Sequence, residues 1–203
     1  MEVIFIRHLA TPGNEKRQYI GRTDEPLSDR AVTAFREQQE GTEAAAYPDI
    51  RFLTASPMRR CVRTAELIWP GVPVEVDPLL RECDFGRFEG KTYEELREEP
   101  AYTRWLESGG MSAFPDGESQ EAFRERCEQG VRKWIRRWIE AGADRAAFVI
   151  HGGTIMAALS RMAEGRHSFY DWQAGNGRGY SARAMEEEWK SGTEILRDIR
   201  KIG

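Results

Sequence analysis

The 203-residue sequence is poor in the residues that bind metals or cross-link a chain. It has three histidines, His8, His151 and His167, and three cysteines, Cys61, Cys83 and Cys127. No cysteines form a C-x-x-C pair and no histidines fall in H-E-x-x-H, so neither a zinc ribbon nor a zinc-protease helix is encoded. An odd, scattered set of thiols fits a reducing compartment, where they serve as buried spectators. Charge of one sign is also missing: 30 basic residues face 34 acidic ones, for a net charge of −4. That balance excludes non-specific binding to nucleic acid or an anionic membrane, so any anion must meet a local cluster of positive charge. No apolar run nears the roughly 18 to 20 residues that span a bilayer. The start, Met-Glu-Val-Ile-Phe-Ile-Arg-His, has a four-residue apolar run without a basic lead, too short for a secretory signal. The expectation is a cytoplasmic protein. No repeat, low-complexity tract or linker divides it, so residues 1–203 read as one domain.

What is present is an alternation of strand and helix signals. Apolar residues make up 40% of the chain, enough for a real core. Residues 3–6, 51–55, 72–76 and 146–150 are short apolar runs rich in β-branched residues, as in buried parallel strands. Residues 7–26 read as a long loop. Residues 28–43 read as a helix capped by Ser28 or Asp29. A second helix is expected to start at Pro57 with Ser56 as its N-cap and to end near Trp69, before Pro70-Gly71. Residues 92–107 read as helical with an interruption at Pro100, and 109–117 as loop. The clearest helix covers 119–141, where Phe123, Cys127, Val131, Trp134, Ile135, Trp138 and Ile139 share one stripe. A further helix follows His151-Gly152-Gly153 through Met162. Residues 180–189 and 193–199 are expected to form two strands of a hairpin, with Glu186-Glu187-Glu188 a solvated strand end. The order implies an α/β three-layer sandwich: a mostly parallel central sheet, helices on both faces and a small helical cap.

Two of the strands run directly into a histidine, Ile6-Arg7-His8 and Ile150-His151. Ligands of open α/β sheets bind at the carboxyl ends of strands, so both histidines belong on that rim. Each alone fits an ordinary rim hydrogen bond, but the neighbours favour a phosphate. Thr11 and Asn14 flank Gly13 in the turn after His8, and turn amides with such side chains suit an anion. Gly152-Gly153-Thr154 opens a helix, whose first turn offers unpaired N–H groups and partial positive charge. Ser56-Pro57-Met58-Arg59-Arg60 puts arginines on another first turn, where they oppose the macrodipole; an anionic partner would explain them, as would solvation of a surface arginine. The aromatic residues Tyr102, Trp105 and Phe114 could stack on a substrate or simply fill a core.

The stretch Arg7-His8-Leu9-Ala10-Thr11-Pro12-Gly13-Asn14 resembles the R-H-G-x-T-x-x-N motif of the histidine phosphatase, or phosphoglycerate mutase-like, family. The resemblance continues through Gly21, Asp24-Glu25-Pro26-Leu27-Ser28, and Ser56-Pro57-Met58-Arg59-Arg60 with Thr64-Ala65-Glu66. It extends over Leu80-Arg81-Glu82-Cys83-Asp84-Phe85-Gly86-Arg87-Phe88-Glu89-Gly90, Pro115-Asp116-Gly117-Glu118-Ser119, His151-Gly152-Gly153 and Gly175-Asn176. It implies His8 as the nucleophile that becomes phosphohistidine, with Arg7, Arg60 and His151 on the phosphoryl oxygens. Glu82 is implied as proton donor to the leaving oxygen, and Thr11, Asn14, Gly21 and the Gly152 amide as phosphate or substrate contacts. The family's spacing after the serine selects Arg60 over its neighbour Arg59. A phosphate monoester carries about −1.5 to −2 charges, which two arginines and a charged His151 would match, while the same positive charge keeps His8 neutral. No step of that chemistry requires a metal or cofactor.

Two positions depart from the pattern: Leu9 stands where the family has Gly, and Ala10 where it has a polar residue. If residue 9 needed a positive φ, leucine would cost about 1 kcal/mol or more. The implied function is hydrolysis of a small phosphorylated metabolite, with 91–118 as a cap that sets specificity. The short phosphatases of the family are nearest in character, including those acting on α-ribazole 5′-phosphate in cobalamin assembly; the stretch Tyr19-Ile20-Gly21-Arg22-Thr23-Asp24 adds to that likeness. Two alternatives stand beside it. One is mutase-type phosphoryl transfer, although the 68 residues between Glu82 and His151 leave little room for the mutases' extra segment. The other is a non-catalytic phosphate-binding module, supported only by Leu9 and Ala10. The expected partner is a small-molecule phosphate ester, with no nucleic acid and no membrane.

Overall fold

In a computed structural model, which describes residues 1–40 and 47–203, the chain forms one six-stranded sheet flanked by helices. The elements in chain order are β1 (Glu2–Arg7), α1 (Pro12–Glu15), α2 (Asp29–Glu40), β2 (Phe52–Ala55), α3 (Arg59–Ile68), β3 (Val74–Val76), α4 (Tyr93–Leu96), α5 (Pro100–Glu107), α6 (Gln120–Glu140), β4 (Arg145–Ile150), α7 (Gly152–Met162), β5 (Gly179–Ala184), α8 (Glu186–Lys190) and β6 (Leu196–Ile202). The strand order is β3-β2-β4-β1-β5-β6. The first four strands run parallel, and β5 and β6 add two antiparallel strands at one edge.

The layering follows from the two-residue period of a strand. Val3 and Phe5 of β1, with Phe148 and Ile150 of β4, face one side, where Trp134, Ile135 and Trp138 of α6 and Ile155 and Leu159 of α7 close over them. Ile4, Ile6, Ala147 and Val149 face the other, against Cys61 and Ala65 of α3. Both faces of β1 and β4 are dry, which is why these strands are apolar throughout instead of alternating. The stripe expected on α6 is buried along its length. Ser119 caps that helix, its hydroxyl accepting the Ala122 amide at 3.1 Å, and Gly142, at φ +68°, turns the chain out of it. Burying a side chain such as Phe5 or Phe148 contributes about 1.5–3 kcal/mol.

Several sequence expectations need correction. The loop over 7–26 contains the short helix α1. Ser28 is the cap of α2, its hydroxyl accepting the Ala31 amide at 3.1 Å; that helix is seen to Glu40, and the expected last turn at 41–43 lies outside the described residues. Ser56 does not cap α3, which starts two residues later than expected, with Met58 at the cap position and no side-chain bond there. The Ser56 hydroxyl is turned instead to His151. The hairpin expected over 180–199 is interrupted: β5 ends at Ala184, and Glu186, Glu187 and Glu188 form the first turn of α8, where acidic side chains stabilise the helix dipole. The region read as helical over 92–107 is two helices, the first closed on itself by a Thr92–Glu95 capping box and the second begun by Pro100.

Above the sheet, α4, α5 and the loop to Gly117 enclose a third cluster. Phe88, Leu96, Tyr102, Trp105 and Phe114 pack there against Phe123 and Cys127 of α6 and Ala157 of α7. Tyr102, Trp105 and Phe114 are 2%, 9% and 3% exposed, so these rings fill a core and do not face a substrate. Among the described residues no helix is long and apolar enough to cross a membrane.

Candidate active site

The register of two strands builds the centre of the site. Arg7 of β1 lies opposite Ile150 of β4, so the next residues, His8 and His151, leave the sheet side by side. The His8 amide donates to the Ile150 carbonyl at 2.9 Å. The two imidazole rings meet edge to face, 5.2 Å between centroids, and both are buried. His8 Nδ1 lies 2.6 Å from the Leu9 carbonyl. A carbonyl only accepts, so Nδ1 carries the proton and Nε2 keeps a free lone pair. Burial, then the charges of Arg60 and Arg7, hold the His8 pKa well below its ordinary value of 6.5, which keeps the ring neutral.

Leu9 fits this turn without strain, because it is absent from the residues with positive φ. Its amide donates to Thr64 Oγ1 at 3.0 Å, and its side chain joins Leu27 and Phe35 in a small apolar cluster. The backbone penalty feared for a leucine here does not arise.

His151 precedes α7. Arg60 Nε donates to its Nδ1 at 3.3 Å, and its Nε2 lies 2.8 Å from Ser56 Oγ, so the proton sits on Nε2 and points to the serine. Burial, Arg60 and His8 lower its pKa well below 6.5. Without a bound anion His151 is therefore held neutral. Only an incoming anion would favour its protonation.

Arg60 is completely buried, whereas Arg59 lies on the surface, with its backbone amide on Asp24 Oδ1. A buried guanidinium is costly unless its donors are used. Arg60 places one on His151, one on the Thr23 carbonyl at 2.7 Å and one on the Gly21 carbonyl at 2.8 Å, which leaves two of its five N–H donors. Arg7 is fixed by one bond, Nη1 to the Ala174 carbonyl at 2.8 Å. Its Nε is buried and has no partner among the described residues. Gly152 lies against it: a Cβ there would come within 3.4 Å of Arg7 Nε.

Glu82 reaches in from the loop after β3 and contacts α7. Its Oε2 accepts the Gly153 amide at 2.9 Å and its Oε1 the Cys83 amide at 3.0 Å. Burial raises its pKa above the ordinary value, against the opposing pull of those two amides, Arg60 and Arg7.

Thr11, Asn14 and Gly21 hold the frame more than they line the opening. Thr11 and Asn14 form the capping box of α1, the Asn14 amide donating to Thr11 Oγ1 at 3.2 Å. The Gly21 amide is taken by Glu89 at 2.8 Å and its carbonyl by Arg60, so it has no donor left for a phosphate. A Cβ at residue 21 would lie 1.8 Å from the Cys83 carbonyl oxygen, which is why only glycine fits. Sequence reasoning missed two supports. Asn176 donates to the His8 carbonyl at 2.9 Å and to Asn14 Oδ1 at 3.2 Å, and Ser56 orients His151. Asn176 could have been found in its Gly-Asn motif; Ser56 was hidden by its resemblance to a helix cap. Among the described residues no three His, Cys, Asp or Glu side chains come together as metal ligands would.

Comparison with known proteins places the chain in a family. The profile of the Histidine phosphatase superfamily (branch 1) matches residues 3–192. A Hydrogenobacter thermophilus protein provisionally named phosphoserine phosphatase 2 is 30% identical over 158 residues, 76% of this chain and 74% of its own length. A phosphoglycerate mutase GpmB of Enterobacter sp. (strain 638), also named provisionally, is 32% identical over 158 residues, 75% of this chain and 70% of its own. The crystal structure of the α-ribazole phosphatase of Shigella flexneri superimposes with a TM-score of 0.81, covering 100% of this chain and 96% of that one at 20% identity.

Proposed function

The chain belongs to the histidine phosphatase superfamily, and on that premise we propose that it is a phosphomonoesterase that hydrolyses a small phosphorylated metabolite through a phosphohistidine at His8, without a metal. The carrying observation is the buried, unpartnered Nε of Arg7 beside the first turn of α7. An unpaired buried charged donor costs several kcal/mol, and a phosphoryl oxygen is the acceptor that would relieve it.

In this reading Nε2 of His8 attacks phosphorus as the bond to the leaving oxygen breaks. Arg7, Arg60 and the Gly152 amide hold the equatorial oxygens, with His151 taking a proton from solvent as the dianion binds and returning it when phosphate leaves. Protonated Glu82 gives its proton to the leaving oxygen, which departs as an alcohol. The resulting Glu82 carboxylate then takes a proton from water as that water attacks phosphorus. The P–N bond breaks, inorganic phosphate is released, and neutral His8 and protonated Glu82 return. General acid catalysis of this kind is worth about 10²- to 10⁴-fold. Thr11, Asn14 and Asn176 fix the loop that carries His8.

The relatives' names span phosphoserine, phosphoglycerate and α-ribazole phosphate chemistry, so they leave the leaving group open; α-ribazole 5′-phosphate is one candidate. The test is release of inorganic phosphate from p-nitrophenyl phosphate and metabolite esters in EDTA, with quench-flow trapping of acid-labile phosphate on the protein. Turnover and labelling that vanish in His8→Ala support the proposal. EDTA-sensitive turnover, or turnover that survives His8→Ala, defeats it, and transfer to a second hydroxyl in place of water marks a mutase.

A further inference from the structure

Glu82 sits in main chain that has no ladder of its own. Between β3 and α4, the carbonyls of Leu79, Arg81 and Glu82 receive no backbone amide among the described residues. Carbonyls left without such partners need side-chain donors or water. Arg126 of α6 supplies the donors. Its Nη1 donates to the Leu79 and Arg81 carbonyls at 3.0 and 2.7 Å, and its Nη2 to the carbonyl of Glu82 itself at 2.9 Å. The remaining donors go to Glu118, Nε to Oε1 at 2.6 Å and Nη2 to Oε2 at 2.7 Å. All five N–H groups of the guanidinium are thereby used.

Glu118 grips the same stretch beyond Glu82. Its amide donates to the Asp84 carbonyl at 3.0 Å, and its Oε2 accepts the Asp84 amide at 3.4 Å. Glu82 thus lies between two anchored points, Leu79 on one side and Asp84 on the other. The Glu118 and Arg126 side chains are only 18% and 21% exposed, so salt screens their pairing far less than it screens a surface pair. The carboxyl of Glu82 is oriented by the Gly153 and Cys83 amides. The fork of Arg126 sets the main chain from which that carboxyl projects.

Resting on the reading of Glu82 as general acid, we infer that Arg126 and Glu118 are positioning residues for proton transfer: they hold the Glu82 backbone where its carboxyl meets the leaving oxygen. Neither bonds to the side chains of Arg7, Arg60 or His151 among the described residues. Their loss should therefore fall on the proton and spare the grip on phosphate. A lysine cannot replace the fork, because its three donors radiate from one atom and cannot span three carbonyls and a carboxylate. It does keep the charge, which matters because the positive charge of Arg126 is among those that hold His151 neutral.

The experiment measures kcat on glycerol phosphate, whose leaving alkoxide needs a proton, and on p-nitrophenyl phosphate, whose nitrophenolate does not. Inhibition by inorganic phosphate is measured beside them, at a temperature where a thermal melt shows each variant folded. A misplaced acid costs about 10- to 100-fold. Arg126→Lys should slow glycerol phosphate by that factor more than p-nitrophenyl phosphate, with the phosphate Ki unchanged. Glu118→Gln, which keeps an acceptor and loses the charge, should move the same ratio by less, and it carries the test if Arg126→Lys does not fold. Added to Glu82→Gln, Arg126→Lys should cost nothing further on glycerol phosphate, since residues that act through one group are not additive. Equal losses on the two esters, a raised phosphate Ki, or a further loss in the double variant overturns the inference, and a Glu82→Gln variant selectively slow on glycerol phosphate then leaves the acid reading standing. A Glu82→Gln variant without that selectivity overturns the acid reading and this inference together, as does a wild-type protein that turns over neither ester.

Discussion

Replacing Gly153 by alanine tests the acid role proposed for Glu82 without changing Glu82 itself. A Cβ at residue 153 would lie 2.2 Å from Glu82 Oε1 and 2.9 Å from its carboxyl carbon. Cβ atoms are not found that close to other atoms, and Glu82 is the flexible partner, so its carboxyl must withdraw by roughly 1 Å, a displacement that costs a catalytic group about 10² in rate. The backbone is not at risk. Gly153 does not have a positive φ, and alanine is favoured over glycine in a helix by about 0.8–1.0 kcal/mol. Gly153→Ala should therefore keep or raise Tm while kcat/KM on an alkyl phosphate such as glycerol phosphate falls about 100-fold. The loss on p-nitrophenyl phosphate should be smaller, because a nitrophenolate departs without a proton. Steady-state kinetics on both esters, beside a thermal melt, measure all three quantities. Equal losses on the two esters, or none on glycerol phosphate, would refute Glu82 as the proton donor.

Other predictions follow from the same contacts. The raised pKa of Glu82 and the lowered pKa of His8 should give kcat/KM a plateau whose acid limb lies below pH 6.5 and whose basic limb marks ionisation of Glu82; Glu82→Gln should lower the plateau and remove the basic limb. His8 and His151 bind protons more weakly folded than unfolded, so stability should be full above pH 6.5 and decline as pH falls from 6.5 toward the lowered folded values. The slope is up to about 1.4 kcal/mol per pH unit for each histidine, and denaturant titrations across that range would read it. Leu9→Ala should cost about 2–5 kcal/mol by emptying the cluster with Leu27 and Phe35; an unchanged Tm would show that this cluster is dispensable. Ser56→Ala leaves a buried N–H of His151 without its acceptor and should cost about 1–3 kcal/mol, also read by denaturation.

Much of the architecture was legible because its determinants are local and periodic. The dry strands β1 and β4, the stripe of α6 and the Gly-Gly opening of α7 each announce themselves within a short window. The rim position of both histidines followed from strand polarity alone. What failed depended on distant partners. Ser56 looks like a helix cap in its own segment, and only the packing of α7 beside it supplies the competing imidazole. Gly21 reads as a loop contact until the Cys83 carbonyl is seen pressed against it. Tyr102, Trp105 and Phe114 show no period that distinguishes a ring facing a ligand from one facing its neighbours. The glutamates of α8 were assigned to a strand because the apolar pattern before them is strand-like; the break at Met185 carries no turn residue.

The pairing of β1 with β4 has a consequence for how the protein comes into being. His8 is made well before Ile150 and His151, yet its amide bonds to the carbonyl of Ile150, and its ring meets that of His151. A nascent chain thus carries the proposed nucleophile long before it carries the residues packed around it. Contacts so far apart in sequence close late, since the loop between them must be ordered first. Until then His8 is an ordinary solvated imidazole, so the reactivity proposed for it would be withheld during synthesis by topology alone.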